Sequence, residues 1–219
     1  MKILITGSSK GIGLAASKFF LDKGFEVVGL DLLPSSLINP HYQHYICDIS
    51  DAYSLPEVSN IDYLFNNAGK QNSEDDISNN LVGTMNVTKK YGFQKSIKSV
   101  LFNASASASS GFEFDQYVAS KAGIVGYMKN VACSLAKQGA TCNSISLGGV
   151  LTKSNEVVMN DEDLWNQIMK VTPLKKWATL DEVCEWVYFL LVINKSMSGQ
   201  DVLIDNGEKD LNNTFVWPL

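Results

Sequence analysis

The stretch from Lys2 to Asp31 most restricts what this chain can fold into. A short apolar run, Lys2 to Ile5, ends in Thr6-Gly7-Ser8-Ser9-Lys10-Gly11-Ile12-Gly13. Residues 11 to 23 follow as a helix, with Ile12, Ala15, Ala16, Phe19 and Phe20 at i, i+3, i+4, i+7 and i+8 on one apolar stripe. Gly24 stops that helix. Phe25 to Leu30 is a second apolar run, ending at Asp31. Strand, glycine turn, helix, strand and acid, in that order, open a dinucleotide-binding α/β sheet.

Each part of the unit has a physical reason. Gly7 allows a tight turn, and Gly11 lets backbone approach a bound diphosphate. Gly13 lets the helix pack close to the sheet. The helix N-terminus favours the negative charge of phosphates. A carboxylate at Asp31 suits the 2′-hydroxyl of an adenosine ribose and repels a 2′-phosphate, which points to NAD over NADP. Lys10 pulls mildly the other way, since a cation in the turn suits a phosphate. Asp31 acts directly on the group that differs between the two cofactors, so it decides.

Further along, strands and helices alternate. Leu32 to Tyr42 holds Pro34 and Pro40 and reads as a loop. Tyr45-Ile46-Cys47 is a short third strand, followed by Asp48-Ile49. Asp48 suits either an adenine amino group, with Ile49 beside the ring, or a cap for a short segment from Asp51. Only about a dozen residues separate Asp48 from the next strand, so any helix there is very short. Ile61 to Phe65 is the fourth strand, ending in Asn66-Asn67-Ala68-Gly69. A helix from about Ile77 to Phe93 carries Asn80 in its interior, where an amide is a poor helix former and invites a tertiary partner. Ser99 to Asn103 is the fifth strand, and Ala140 to Leu147 the sixth, before Gly148-Gly149-Val150-Leu151-Thr152.

Residues 153–172 carry Asp161, Glu162 and Asp163, then Leu164, Trp165, Ile168 and Met169 at helical spacing. That pattern fits a substrate lid or a docked surface helix. Thr179-x-x-Glu182 is a capping signal for a helix to Ile193. Asp201 to Ile204 is a last strand. The order β-α, repeated, predicts an α/β fold: one domain over residues 1–219, with a doubly wound, seven-stranded parallel sheet covered by helices on both faces. The apolar tail, Phe215-Val216-Trp217-Pro218-Leu219, is expected to pack against a neighbouring subunit or over a pocket.

Composition excludes several functions. A net charge of −5 with no basic run gives no support for nucleic-acid binding. No segment approaches the length of apolar residues that a membrane span needs. Met1 to Gly7 enters a strand too early for a signal peptide. Cys47, Cys133, Cys142 and Cys184 have no metal-like spacing and read as reduced, mostly buried thiols of a cytoplasmic protein.

One stretch carries chemistry. In Tyr117-Val118-Ala119-Ser120-Lys121 the tyrosine and lysine sit one helical turn apart on the same face. A cation beside a phenol favours the phenolate, which lets the pair exchange a proton with a substrate oxygen near neutral pH. Such pairs also occur by chance on many helices.

With the other motifs around it, the pair no longer stands alone. Over essentially its whole length the chain resembles the short-chain dehydrogenases/reductases. Thr6 to Gly13 matches their TGxxxGxG motif, Asn66-Asn67-Ala68-Gly69 matches NNAG, Asn80 matches their helix asparagine, and Tyr117 to Lys121 matches YxxSK. The resemblance implies a Rossmann fold and an NAD(P)-dependent oxidoreductase that interconverts a secondary alcohol and a ketone, without a metal. It implies Tyr117 as acid/base, Lys121 as its partner and ribose ligand, and Asn80 as holder of a relay water. Ser105 polarises the carbonyl; it lies one residue nearer the tyrosine than the family's usual spacing, and Ser107 is the other candidate. The cofactor, NAD rather than NADP, is implied to rest on Gly7, Ser9, Lys10, Gly11, Ile12, Gly13, Asp31, Leu32, Asp48, Ile49, Asn67, Ala68, Gly69, Tyr117, Lys121, Val150 and Thr152. Leu147-Gly148 stands where the family often has Pro-Gly. A homotetramer or dimer through the Asn80 and Tyr117 helices is implied too. Two rival readings stand beside it: a catalytically weak NAD(H)-binding sensor of the same fold, and a nucleotide-sugar epimerase or dehydratase, which also uses a Tyr/Lys pair. The sensor usually lacks the tyrosine or lysine, and the latter is usually longer than this chain.

Overall fold

The computed structural model describes residues 1–112 and 114–211. The apolar tail at 215–219 lies outside the described residues. Seven strands form one sheet: β1 (Lys2–Thr6), β2 (Glu26–Asp31), β3 (Tyr42–Ile46), β4 (Tyr63–Asn66), β5 (Ser99–Asn103), β6 (Thr141–Leu147) and β7 (Asp201–Ile204). Every pairing is parallel and the order is β3-β2-β1-β4-β5-β6-β7.

Successive strand residues point to opposite faces, so each inner strand feeds two apolar layers. On one face Leu4, Val28, Leu64 and Val100 pack against α2 (Gly83–Tyr91) and α4 (Asp115–Leu135) through Val87, Tyr91, Ile124, Met128 and Val131. On the other, Ile3, Ile5, Val27, Phe65 and Ile145 meet α1 (Gly11–Asp22) and α7 (Leu180–Tyr188) through Ala16, Phe20, Val183 and Val187. The capping box of Thr179 and Glu182 starts α7 as its sequence signal predicts.

The strand order reverses beside β1: β2 lies on one side of it and β4 on the other. The loops leaving β1 and β4 therefore part and open a crevice at the carboxyl end of the sheet, where such sheets bind ligands. The glycine turn follows β1, Asn67 to Gly69 follow β4, and Ser105 follows β5.

Several expected boundaries shift. The third strand runs over 42–46 instead of 45–47. The segment from Asp51 is a run of turns with no helix, and Asp48 Oδ1 accepts from the backbone N–H and hydroxyl of Ser50, at 2.9 and 2.7 Å. The helix expected from Ile77 begins as a π-helical turn, Ile77–Val82, before α2 takes over. The end of the last helix, Phe189–Ile193, is π-helical too. Residues 153–172 split into a 3₁₀ turn, Lys153–Asn155, then α5 (Glu156–Met159) and α6 (Glu162–Val171). Asp161 caps α6, accepting from Leu164 N at 3.0 Å.

Cys47, Cys142 and Cys184 are buried and Cys133 is exposed, none of them in a disulfide. Burial, helped by the Asp48 and Asp31 carboxylates, pushes the Cys47 thiol up to about 11, and burial with Asp181 pushes Cys184 up to about 12. Both stay protonated and unreactive at neutral pH. Among the described residues no helix is long and apolar enough to cross a membrane.

Candidate active site

A chain of hydrogen bonds ties the glycine turn to the Tyr117 helix. Thr6 Oγ1 accepts from the backbone N–H of Asn67 at 3.0 Å and of Ala68 at 2.9 Å. Asn67 Nδ2 donates to Thr6 O at 3.0 Å, and Asn103 Nδ2 donates to Asn67 Oδ1 at 3.0 Å. Lys121 Nζ then donates to Asn103 O at 2.8 Å. Four separate chain segments thus meet in one bonded frame. Asn66 stands behind it, donating to Thr88 Oγ1 in α2 at 3.1 Å.

Lys121 is 4% exposed and its ammonium lies 5.5 Å from the centroid of the Tyr117 ring. The helical spacing predicted this pairing, and α4 delivers it. Ser120, also buried, donates to Tyr117 O at 2.7 Å, which steadies the same turn.

Asn80 is fully buried. Its Oδ1 accepts from Lys70 N at 2.7 Å, and its Nδ2 donates to Lys70 O at 2.8 Å and to Ser120 Oγ at 3.1 Å. A side chain at Gly69 would begin 3.2 Å from Asn80 Oδ1 and 3.5 Å from Lys121 Nζ. Gly69, Asn80 and Lys121 therefore surround one small space.

Ser105 is held by the sheet. Ala104 N donates to Ile145 O at 2.8 Å and Ala106 N to Leu147 O at 2.9 Å, so β5 continues its pairing past Asn103. The backbone N–H of Ser107 donates to Ser105 Oγ at 3.2 Å and its hydroxyl does so at 2.9 Å. A hydroxyl accepts twice and donates once, so this leaves the Ser105 hydrogen to give away. The two serines are thus joined by a hydrogen bond.

On the far side of the crevice, Asp31 accepts from Ser9 N and Leu33 N, each at 2.9 Å. Lys10 and Leu32 are exposed, and Ile49 is buried. Val150 is buried and Thr152 partly so; Leu151 N donates to Ala178 O at 2.9 Å. Trp177 lies against Gly149, and Trp165 of α6 meets it edge-on with centroids 5.1 Å apart. The 153–172 segment is docked at Trp177. Phe112 and Phe114 are exposed.

The turn passes one test of fit for a dinucleotide. A side chain at Gly11 would meet nothing within 4 Å, so space lies open where a diphosphate approaches. Among the described residues no cluster of His, Cys, Asp and Glu is placed to hold a metal ion.

A family model described as enoyl-(acyl carrier protein) reductase matches residues 7–209. The chain belongs to the short-chain dehydrogenase/reductase family. As a member it is an oxidoreductase. It is similar to (+)-borneol dehydrogenase 1 of Salvia officinalis, 30% identical over 95% of this chain and 94% of that one. D-threitol dehydrogenase of Mycolicibacterium smegmatis is 28% identical over 93% and 91%. Among solved structures, a 4-hydroxyisoleucine dehydrogenase mutant complexed with NADH and succinate superposes with a TM-score of 0.86 at 26% identity, covering 97% of this chain and 100% of that one. The seven-stranded parallel sheet is the Rossmann arrangement of these short-chain dehydrogenases/reductases.

Sequence reasoning missed the framing roles of Thr6 and Asn103. A polar residue at the end of each central strand was the available signal: both terminate apolar runs facing the crevice.

Proposed function

We propose that this short-chain oxidoreductase uses NAD to interconvert a secondary alcohol and a ketone. The observation that carries the reading is the buried Lys121 ammonium set over the Tyr117 ring. A bound nicotinamide dinucleotide supplies or takes the hydride. In reduction, Tyr117 gives its phenolic proton to the substrate oxygen as negative charge grows there. Lys121 favours the phenolate left behind and binds the nicotinamide ribose. Ser105 donates its remaining hydrogen to the same oxygen, oriented by Ser107. Asn80 Oδ1 keeps one lone pair beyond its bond to Lys70, which suits a water beside Lys121 that returns the proton.

Gly7, Ser9, Lys10, Gly11, Ile12 and Gly13 hold the diphosphate, Asp31 and Leu32 the adenosine ribose, Asp48 and Ile49 the adenine, and Val150 and Thr152 the carboxamide. Asn67, Ala68 and Gly69 border the cofactor. Residues 153–172 cover the substrate as a lid on a one-domain chain. We place the protein in the cytoplasm as a homotetramer or dimer. The relatives are named for threitol and borneol, which differ widely in polarity, so the substrate is assigned no further than its alcohol or ketone group.

The test is a panel of secondary alcohols and ketones with both cofactors, followed by the absorbance of the reduced nicotinamide. Turnover with NAD is expected; dinucleotide binding without turnover of any member would instead favour a sensor. Asp31→Ala tests the cofactor choice. Losing a charged hydrogen-bond acceptor is worth about 1.5–3 kcal/mol, so NAD preference over NADP should drop roughly tenfold to a hundredfold. An unchanged ratio of kcat/KM values would show that Asp31 is not the selector.

A further inference from the structure

The adenosine side of the crevice is built unlike the rest. Among the described residues no helix joins β2 to β3 or β3 to β4. Yet the backbone at Leu33 is pinned from two sides. Ser9 Oγ donates to Leu33 O at 2.9 Å, and His44 Nε2 stands 2.9 Å from the same oxygen. A carbonyl only accepts, so Nε2 carries the hydrogen. The other ring nitrogen, Nδ1, lies 3.0 Å from the Tyr42 hydroxyl, which lies 3.1 Å from Ser8 Oγ. Tyr42 and His44 alternate along β3 and so share one face. Tyr42 reaches Ser8 across β2 only because Gly29 has no side chain there. A Cβ at Gly29 would overlap both the Tyr42 and the Ser8 hydroxyls.

These contacts close a ring: Ser8, Tyr42, His44, Leu33, and back to Ser9. Ser9 and Leu33 are also the two residues whose backbone N–H groups hold the Asp31 carboxylate. We propose that Tyr42 and His44 are positioning residues for the cofactor: a clamp that fixes the glycine turn and Asp31 for the adenosine ribose where no helix does so. The proposal rests on the reading of Asp31 as the ribose ligand. A carboxylate already oriented loses less freedom on binding, so the clamp raises affinity for the adenosine half and sharpens the choice against a 2′-phosphate.

The test uses Tyr42→Phe, which deletes one hydroxyl, and His44→Ala, with thermal melting to confirm folding. Each is assayed for KM and kcat with NAD and NADP, and for inhibition by AMP and by nicotinamide mononucleotide. The KM for NAD and the inhibition constant of AMP should rise about tenfold, the loss expected of one hydrogen bond in a partly buried network. The kcat and the mononucleotide constant should hold, and preference for NAD should fall. Unchanged AMP inhibition overturns the clamp, as does equal weakening of both half-ligands, which marks general damage. If the parent protein binds no dinucleotide, the reading of the site falls and the clamp with it. If the parent prefers NAD and the variants match it, only the clamp falls.

Discussion

Tyr117→Phe is expected to lower kcat about a thousandfold while NADH still binds with near-parental affinity. The phenol is proposed as the proton donor to the substrate oxygen, and positioned proton transfer contributes roughly 10²–10⁴-fold. Phenylalanine keeps the ring and its packing but cannot donate. The bonds that join Thr6, Asn67, Asn103 and Lys121 are left in place by the substitution. Lys121→Ala should behave differently. It breaks the bond to Asn103 O and leaves a cavity where a buried ammonium stood, so both kcat and cofactor affinity should fall. The two variants are compared by steady-state turnover and by NADH fluorescence titration. Turnover by Tyr117→Phe within a few fold of the parent would remove the phenol from the mechanism, whatever the fate of Lys121.

The buried centre of this fold was legible because it rests on periodicity. β1, β2, β4 and β5 are built on apolar runs buried on both faces, and such runs read the same way in sequence and in structure; β6 is equally buried, but Thr141, Asn143, Ser144 and Ser146 make it mixed in polarity. β3 was read only in its apolar half. It is an edge strand whose Tyr42 and His44 turn toward Ser8 and Leu33 while Gln43 and Ile46 are exposed, so its period is of polar partners, which hydropathy does not record. The π-helical turn at 77–82 was equally hidden. Its residues repeat as an α-helix would, so periodicity does not separate the two; Asn79 and Asn80 within it are buried. At the site, Tyr117, Lys121 and Asn80 could be placed because α-helical spacing or a motif fixes them. The bonding of Ser107 to Ser105 could not, since it depends on the Ser107 amide, at the start of α3 (Ser107–Ser110), turning back to Ser105 Oγ.

The second large effect falls on Gly13, and Gly11 is its control. A Cβ at Gly13 would overlap the carbonyl oxygen of Gly7 and stand 2.7 Å from Asn67 Nδ2. The first of these is backbone, so no side-chain rotation relieves the clash. Helix α1 must move off β1, or the turn must open, and either strains the bonds from Asn67 to Thr6. Overpacking of this kind costs about 1–3 kcal/mol or more, so Gly13→Ala should melt on the order of 5–10 °C below the parent. NADH affinity falls with it, because the same turn faces the crevice. Gly11 differs. Its φ is +52° and a Cβ there meets no protein atom within 4 Å. Gly11→Ala carries only a left-handed backbone cost of about 1–2 kcal/mol. If the open space beside Gly11 is where the diphosphate approaches, that variant loses NADH affinity out of proportion to its small change in Tm. Thermal melting and NADH titration of the two variants separate packing from binding. A Gly13→Ala protein that melts like the parent would show that α1 does not depend on close approach to the turn. A Gly11→Ala protein that binds NADH like the parent would move the diphosphate away from this turn.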